Sequence, residues 1–308
     1  MALGLSLTLP RNLLAADKIP VVASIVPLGD FCTKIGGERV EVTVLIPPGA
    51  SPHIFEPTPQ AVSQAFNAKV FVYVGAGLDP WAAKVIAAKE AKSQQVVEAV
   101  AGLRLEADTH IHHHGGTEEA AAAGDHAAEG SKNHDHSQLK GNPHVWLDPV
   151  WAQDICRRIA GTLTRADPAH RQVYEDNLDR YLRQLADLHQ EIARRTAAWR
   201  LKEYVSFHPS FVYFAKRYGL REAGVIEAAP GREPTPGHIR KIVKAIQKFG
   251  VRVVFAEPQL NPRMAEIIAR EAGAKVLLLD PLGGRPPYGN DYIAMMRYNL
   301  EAMEQAMK

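Results

Sequence analysis

The stretch DPAHRQVYEDNLDRYLRQLADLHQEIARRTAAW, residues 167–199, lies near the middle of the chain and decides its organisation. Its large apolar side chains recur at helical spacing and form one stripe: Tyr174, Leu178, Tyr181, Leu185, Leu188, Ile192 and Trp199. Asp167 can cap this helix, and Pro168 can occupy its first position. About 31 helical residues at 1.5 Å each would span roughly 46 Å. The pattern predicts a stiff helix that links two lobes; an ordinary surface helix within one domain is the alternative.

On both sides of this helix, short β-branched runs alternate with helical patterns. Strands are predicted at residues 20–26, 40–47 and 69–75 before the helix, and at residues 203–208, 251–258 and 274–281 after it. Strands that alternate with helices form parallel sheets covered on both faces. The sequence therefore predicts an α/β fold of two (β/α) lobes with parallel sheets, joined by one long rigid helix. The predicted parts are a tail (1–17), a first lobe (18–166), the linking helix (167–199) and a second lobe (200–308).

Composition narrows the class of protein. The 308 residues, 46% of them hydrophobic, suffice for a large core and favour two domains. The net charge of +2 and the lack of a basic run with interleaved aromatic residues argue against nucleic acid as a partner. Residues 1–17 are apolar, then small, then polar, so we expect a secretory signal remnant with cleavage near Ala16. The two cysteines, Cys32 and Cys156, could form a disulfide or remain separate buried thiols.

A histidine-rich stretch, THIHHHGGTEEAAAAGDHAAEGSKNHDHS, occupies residues 109–137. It holds seven of the 13 histidines: His110, His112, His113, His114, His126, His134 and His136. Its other residues bury little apolar area, so we expect a mobile loop. Such a loop can hold a divalent metal, but not in one defined geometry. A selective metal site should therefore lie elsewhere, and a solvated insertion without function is the alternative for the loop.

Four other residues stand where apolar strands or proline-bounded turns end. His53 lies in PPGASPHIFEPTP, His144 in GNPHVWLDP, His208 ends EYVSFH and Asp280 ends KVLLLD. Ligands gather beyond the carboxyl ends of strands in doubly wound sheets. Three imidazoles and one carboxylate suit Zn²⁺, although each residue alone could be an ordinary core or turn residue. Glu257, which ends VRVVFAE, should face the same cleft and orient a histidine without binding the metal itself.

The segments SPHIFEPTP, NPHVWLDP, FHPSFVYFAKRYGL, FAEPQLNP and LLLDPLG resemble signature segments of the metal-binding solute receptors of ABC importers. The resemblance is to the zinc/manganese cluster of periplasmic binding proteins and runs from about residue 18 to residue 308. It implies a metal clamped between two lobes by His53, His144, His208 and Asp280. A histidine at the third position implies the zinc branch, and the histidine-rich loop implies accessory metal capture.

The resemblance implies a soluble periplasmic receptor that captures Zn(II) and delivers it to the membrane permease of an ABC importer. We expect a monomer without enzymatic activity. A receptor for Mn(II) or Fe(II) is the first alternative, and His208 weighs against it because hard Mn²⁺ prefers oxygen ligands. A zinc hydrolase would need an open coordination position and a general base, so that alternative depends on whether Asp280 binds the metal. The third alternative is an adhesion or partner-binding protein that carries a structural metal.

Overall fold

The computed structural model describes residues 18–88, 94–107, 141–227 and 234–308. The predicted signal remnant at residues 1–17 and the histidine-rich stretch at residues 109–137 lie outside the described residues. Among the helices of the described ranges, none is both long enough and apolar enough to cross a membrane.

The first half of the chain forms a parallel four-stranded sheet. Its strands are β1 (Ile19–Ala23), β2 (Val40–Val44), β3 (Val70–Tyr73) and β4 (Gln95–Glu98). Their order across the sheet is β2-β1-β3-β4, so the first strand lies inside the sheet. The helices of this half are α1 (Val26–Gly36), α2 (Pro59–Asn67), α3 (Pro80–Ala88) and α4 (Pro149–Ala166). Because all four strands are parallel, their carboxyl ends lie along one edge of the sheet.

The predicted linking helix is present as α5 (Arg171–Ala197), whose 27 residues span about 40 Å. It starts later than predicted, because residues 168–170 form a separate 3-10 turn. Asp167 does not cap the helix; its carboxylate accepts a hydrogen bond from the hydroxyl of Tyr174 at 2.8 Å. The predicted apolar stripe is confirmed, with Leu178 partly buried and its other members buried.

The second half repeats the arrangement of the first. Its strands are β5 (Glu203–Ser206), β6 (Arg221–Val225), β7 (Val253–Ala256) and β8 (Lys275–Leu278), in the parallel order β6-β5-β7-β8. Its helices are α6 (Val212–Tyr218), α7 (Pro236–Phe249), α8 (Arg263–Ala272) and α9 (Tyr292–Met307). The predicted fold class, two parallel sheets with interleaved helices and one long helix, is confirmed.

Strands β4 and β6 are not predicted from the sequence. Both lie at an edge of their sheet. Strand β6 contains Glu222 and Gly224, and glutamate and glycine are depleted in strands. An edge strand pairs on one side only, so it needs fewer β-branched side chains than a central strand.

The two halves share one hydrophobic core. It contains Ile19 and Phe31 from the first half, Leu185 from α5, and Leu279 and Met303 from the second half. Helix α9 contributes to this core because it packs against both α1 and α5. The predicted boundaries between the lobes, at residues 166 and 200, stay predictions.

The tetrapeptide EPTP occurs at residues 56–59 and 233–236, and its threonine caps a helix in each half. The side chain of Thr58 accepts a hydrogen bond from the backbone N–H of Ala61, and Thr235 accepts one from His238. In both helices proline follows the capping threonine, where its missing N–H is not needed. The two turns are thus built by the same local chemistry.

Cys32 and Cys156 are free thiols, and both are buried. Burial raises the pKa of each thiol above its ordinary value, so both remain protonated and unreactive at neutral pH. They act as small apolar side chains of the shared core.

The burial of Leu185 gives a test of the linking helix. Leu185→Ala should lower the free energy of unfolding by about 2–5 kcal/mol, because it leaves a cavity in the shared core. Val173→Ala on the same helix is the control: Val173 is 40% exposed, and its loss should cost less than about 0.5 kcal/mol. Urea unfolding followed by circular dichroism measures both. Equal losses of unfolding free energy in the two variants would mean that the buried stripe of α5 does not stabilise the core.

Candidate metal centre

Three strands of the second sheet each deliver one predicted site residue. His208 lies two residues beyond β5, Glu257 one residue beyond β7, and Asp280 two residues beyond β8. From the first half, His53 lies in the loop after β2 and His144 directly before the 3-10 turn that leads into α4. His208, Glu257 and Asp280 therefore lie at the same edge of the second sheet.

The three histidines meet at one point. The Nε2 atom of His53 lies 3.2 Å from Nε2 of His144 and 3.1 Å from Nε2 of His208. Within the described ranges, these residues form the group whose potential ligand atoms all lie within 4.8 Å of one another. A tetrahedral zinc ion with Zn–N distances of about 2.0–2.1 Å needs nitrogens roughly 3.3–3.4 Å apart. The imidazoles thus have nearly the spacing that one zinc ion requires.

A hydrogen bond from Asn142 orients the ring of His144. The Oδ1 atom of Asn142 lies 2.9 Å from Nδ1 of His144 and also accepts the backbone N–H of His144. Because an amide oxygen can only accept, Nδ1 carries the proton and donates it. The Nε2 atom of the neutral ring then presents its lone pair to the other two histidines. This is the tautomer that a metal needs.

The pKa of His144 is lowered well below its ordinary value. Burial is the main cause, and the charges that His208 and His53 would carry add to it. His144 is therefore neutral at neutral pH and does not have to lose a proton before it binds a metal.

Hydrogen bonds tie the segment that carries His144 to the second half of the chain. Asn142 donates through Nδ2 to the carbonyl of Pro209 at 2.8 Å, and Tyr213 donates to the carbonyl of Asn142 at 2.6 Å. Trp146 donates through Nε1 to the carbonyl of Pro281 at 2.7 Å. Pro209 and Pro281 directly follow His208 and Asp280. The distance between His144 and the second-half residues is thus set by bonds between their neighbours.

His53 is the solvent-facing member of the group. His144 and His208 are only 3% and 5% exposed, whereas His53 is half-buried. Its neighbour Ile54 is 64% exposed, which is unusual for a large apolar side chain. An ion that enters the group from solvent therefore passes the loop of His53.

Asp280 lies behind the three histidines and outside their group. It is fully buried, and its carboxylate accepts four hydrogen bonds. Oδ1 accepts from the side chain of Gln259 and from the backbone N–H groups of Leu282 and Gly283, at 2.8–3.0 Å. Oδ2 accepts from the hydroxyl of Tyr288 at 2.5 Å. Asp280 as a metal ligand stays a prediction.

Glu257 lines the same small cavity as the three histidines. Its Oε1 atom accepts a hydrogen bond from the hydroxyl of Ser210, two residues after His208. Burial raises the pKa of Glu257 to about 8, against the opposing effect of the Ser210 hydrogen bond. The carboxyl group is thus mainly protonated at neutral pH in the metal-free protein. Its predicted role in orienting a histidine stays a prediction.

The cavity between these side chains measures about 10 Å³. This is about the space that a single water molecule occupies. The site can therefore hold one ion, and it has no room for a peptide or an organic substrate.

Comparison with known proteins identifies the family. The family model of ZnuA, described as zinc-uptake complex component A, periplasmic, matches residues 21–306. The chain belongs to this family. The resemblance stated from the sequence motifs is confirmed.

Individual members of the ZnuA family are moderately similar to the chain. The zinc-binding protein AdcA of Streptococcus pyogenes serotype M3 is 29% identical over 302 residues, which cover 96% of this chain and 58% of AdcA. The high-affinity zinc uptake system protein ZnuA of Bacillus subtilis is 29% identical over 295 residues, or 94% and 88% of the two chains. A crystal structure of ZnuA has a TM-score of 0.77 at 28% identity and covers 94% of this chain and 99% of its own. The chain thus spans little more than half the length of AdcA.

Four residues that hydrogen-bond to the predicted site residues are not apparent from the sequence. Asn142, Ser210, Gln259 and Tyr288 all hydrogen-bond to a predicted site residue. Asn142 and Ser210 lie two residues from His144 and His208, so their proximity was a usable signal. Nothing in the sequence relates Tyr288 to Asp280, because that contact depends on the path of the loop between them.

The role of Asn142 can be tested directly. Asn142→Leu removes the acceptor for Nδ1 of His144 and should weaken zinc binding by roughly 10–100-fold, as loss of an orienting partner does at other metal sites. Asn177→Leu is the matched control, because Asn177 donates to the carbonyl of Ile35 far from the histidines. Zinc titration against a fluorescent chelator measures both. Unchanged affinity in Asn142→Leu would contradict the assigned tautomer.

The histidine shell also predicts a pH dependence. Protons compete with zinc for imidazole, whose ordinary pKa is about 6.5, so zinc affinity should fall as the pH drops through roughly 6. The lowered pKa of His144 adds a second effect: the unfolded chain takes up this proton more readily, so the metal-free fold should lose stability below about pH 6.5. Chelator competition and thermal melts from pH 7.5 to pH 5 measure the two effects. A zinc affinity that stays level over this range would exclude a histidine shell.

Proposed function

We propose that the chain is a zinc receptor that captures Zn(II) outside the cytoplasm and delivers it to the permease of an ABC importer. This proposal rests on the convergence of three imidazoles: Nε2 of His53 lies within 3.2 Å of Nε2 of both His144 and His208, and the ligand atoms of all three lie within 4.8 Å of one another. Membership of the ZnuA family supports it, as do relatives named for zinc binding and for zinc uptake.

The proposed ligands are His53, His144, His208 and Asp280. The three imidazoles bind the ion first, because their nitrogens already have the required spacing. Asp280 becomes the fourth ligand when its carboxylate turns toward the ion. Glu257 acts as a positioning residue: through Ser210 it is connected to the backbone that carries His208. The metal-bound site thus has three nitrogen ligands and one oxygen ligand, a set that suits zinc.

Zinc is favoured over Mn(II) or Fe(II) by the nitrogen-rich shell. Manganese prefers oxygen ligands, and the group described here offers three imidazoles. The hydrolase alternative is disfavoured by the cavity of about 10 Å³, which leaves no place for an organic substrate beside the ion. We therefore propose a binding protein without a catalytic step.

The proposal also covers where the receptor acts, which membrane protein it meets and what the histidine-rich stretch does. The apolar residues 1–17 suit a signal segment, and the family description places its members in the periplasm. The permease of an ABC importer is the proposed partner, and the receptor acts as a monomer. The histidines at residues 110–136 collect zinc weakly and pass it to the tight site.

A zinc titration by calorimetry on altered chains tests the function. His208→Ala should weaken the tight site by at least about 100-fold, because it removes a buried ligand. Deletion of residues 109–137 should abolish the weak sites and keep the tight one. His238→Ala is the control, because His238 lies on α7 and bonds to the carbonyl of Val225.

The opposite pattern would overturn the proposal. If deletion of residues 109–137 removes the tight site and His208→Ala keeps it, the histidine-rich stretch is the functional site. Anomalous scattering at the zinc edge on untagged protein identifies the bound metal independently; manganese in the site would favour the alternative receptor.

A further inference from the structure

The two oxygens of the Asp280 carboxylate differ in their hydrogen bonds. Oδ1 accepts three, from Gln259, Leu282 and Gly283, which saturates its lone pairs. Oδ2 accepts one, from the hydroxyl of Tyr288. Oδ2 is therefore the oxygen that can bind a metal, and the phenol of Tyr288 occupies part of its capacity.

The backbone of Asp280 cannot move to relieve this competition. Its N–H donates to Oδ1 of Asn299 at 2.8 Å, and its carbonyl accepts from Nδ2 of Asn299 at 2.7 Å. Asn299 lies on α9 and is fully buried. Any approach of the carboxylate to the histidines must therefore come from rotation of the side chain, which stretches or breaks the bond to Tyr288.

Tyr288 lies between the shared core and the surface. It is a buried member of that core, and its ring packs against Tyr298 with a centroid distance of 5.0 Å. Both rings also line a surface groove of about 620 Å³. The hydroxyl proton can turn away from Oδ2 of Asp280 while the ring stays in place, because only rotation about the bond between the ring and the oxygen is needed.

We propose that Tyr288 is a positioning residue that sets the metal selectivity of the site by competing with the ion for Oδ2 of Asp280. This inference rests on the proposed zinc-receptor function. The competition lowers the binding affinity most for the metal that gains most of its affinity from the carboxylate. Both ions have to displace the phenol in order to bind Oδ2. Zinc is already held by three imidazoles and loses little when Oδ2 stays bonded to Tyr288, whereas manganese prefers oxygen and depends on that displacement. Tyr288 thus favours zinc over manganese.

Tyr288→Phe in the full chain tests the proposal, because it removes the hydroxyl and keeps the ring. The variant should bind Mn²⁺ roughly tenfold more tightly, since a hydrogen bond to a charged group is lost as a competitor, and Zn²⁺ less than about threefold more tightly. Tyr298→Phe is the matched control, because its ring is the neighbour of Tyr288 and no hydrogen bond joins it to Asp280. Chelator competition with each metal alone gives the affinities.

Two further measurements separate positioning from a structural effect. In an Asp280→Asn background, Tyr288→Phe should no longer change the ratio of zinc to manganese affinity, because it acts through the carboxylate. The visible absorption of bound Co²⁺ should change in Tyr288→Phe and stay unchanged in Tyr298→Phe, since it reports the ligand set. If Tyr288→Phe does not fold, Tyr288→Met also removes the hydroxyl beside Oδ2 and should shift the ratio in the same direction.

The outcomes are distinct. A rise in manganese affinity that depends on Asp280 supports the proposal. An equal change for both metals, a loss of affinity for both, or the same effect in Tyr298→Phe overturns it while the zinc-receptor function stands. If the unaltered chain has no tight zinc site, the proposed function fails and this inference fails with it.

Discussion

The hydrogen bonds between residues 142–148 and the second half of the chain are the constraint on which the site depends. They join Asn142 to the residue after His208, and Trp146 to the residue after Asp280. Arg217 adds a bidentate ion pair to Asp148, the N-cap of α4, at 2.6–2.8 Å. Because these partners are buried or partly buried, breaking them would leave polar groups unsatisfied inside the protein. Two of the three imidazoles are therefore positioned by the fold itself.

This arrangement explains how three basic side chains can lie so close together. Burial of His144 disfavours its protonated form, and each neighbouring imidazole disfavours it further. The fold thus keeps His144 neutral beside the other two imidazoles, at the cost of its affinity for protons. A doubly charged cation then does not have to displace a proton from His144 before it binds. Binding can then be tight because little ordering is left to the ion.

Much of the fold and part of the site follow from local sequence patterns. The stripe of α5, the central strands and the strand-end positions of His208 and Asp280 are all set by residues close in sequence, so periodicity reveals them. Strands β4 and β6 are not predicted because pairing with a neighbour, and not their own composition, makes them strands. The hydrogen bond of Tyr288 to Asp280 is hidden for a similar reason: it depends on how the following loop returns to the sheet. The residue type alone does not tell whether Asp280 binds the metal. That depends on how firmly the surrounding hydrogen-bond donors hold its carboxylate.

Helix α9 belongs to the second half in sequence, yet it covers α1 of the first half. Asp30 on α1 accepts hydrogen bonds from the hydroxyl of Tyr181 on α5 and from the backbone N–H of Tyr292, the first residue of α9. Helix α9 is synthesised after every strand of both sheets. The first sheet therefore emerges from the ribosome with part of its core uncovered, and it stays so until α9 has followed. Neither half completes its core without this helix, because α9 supplies buried residues to the core that the two halves share.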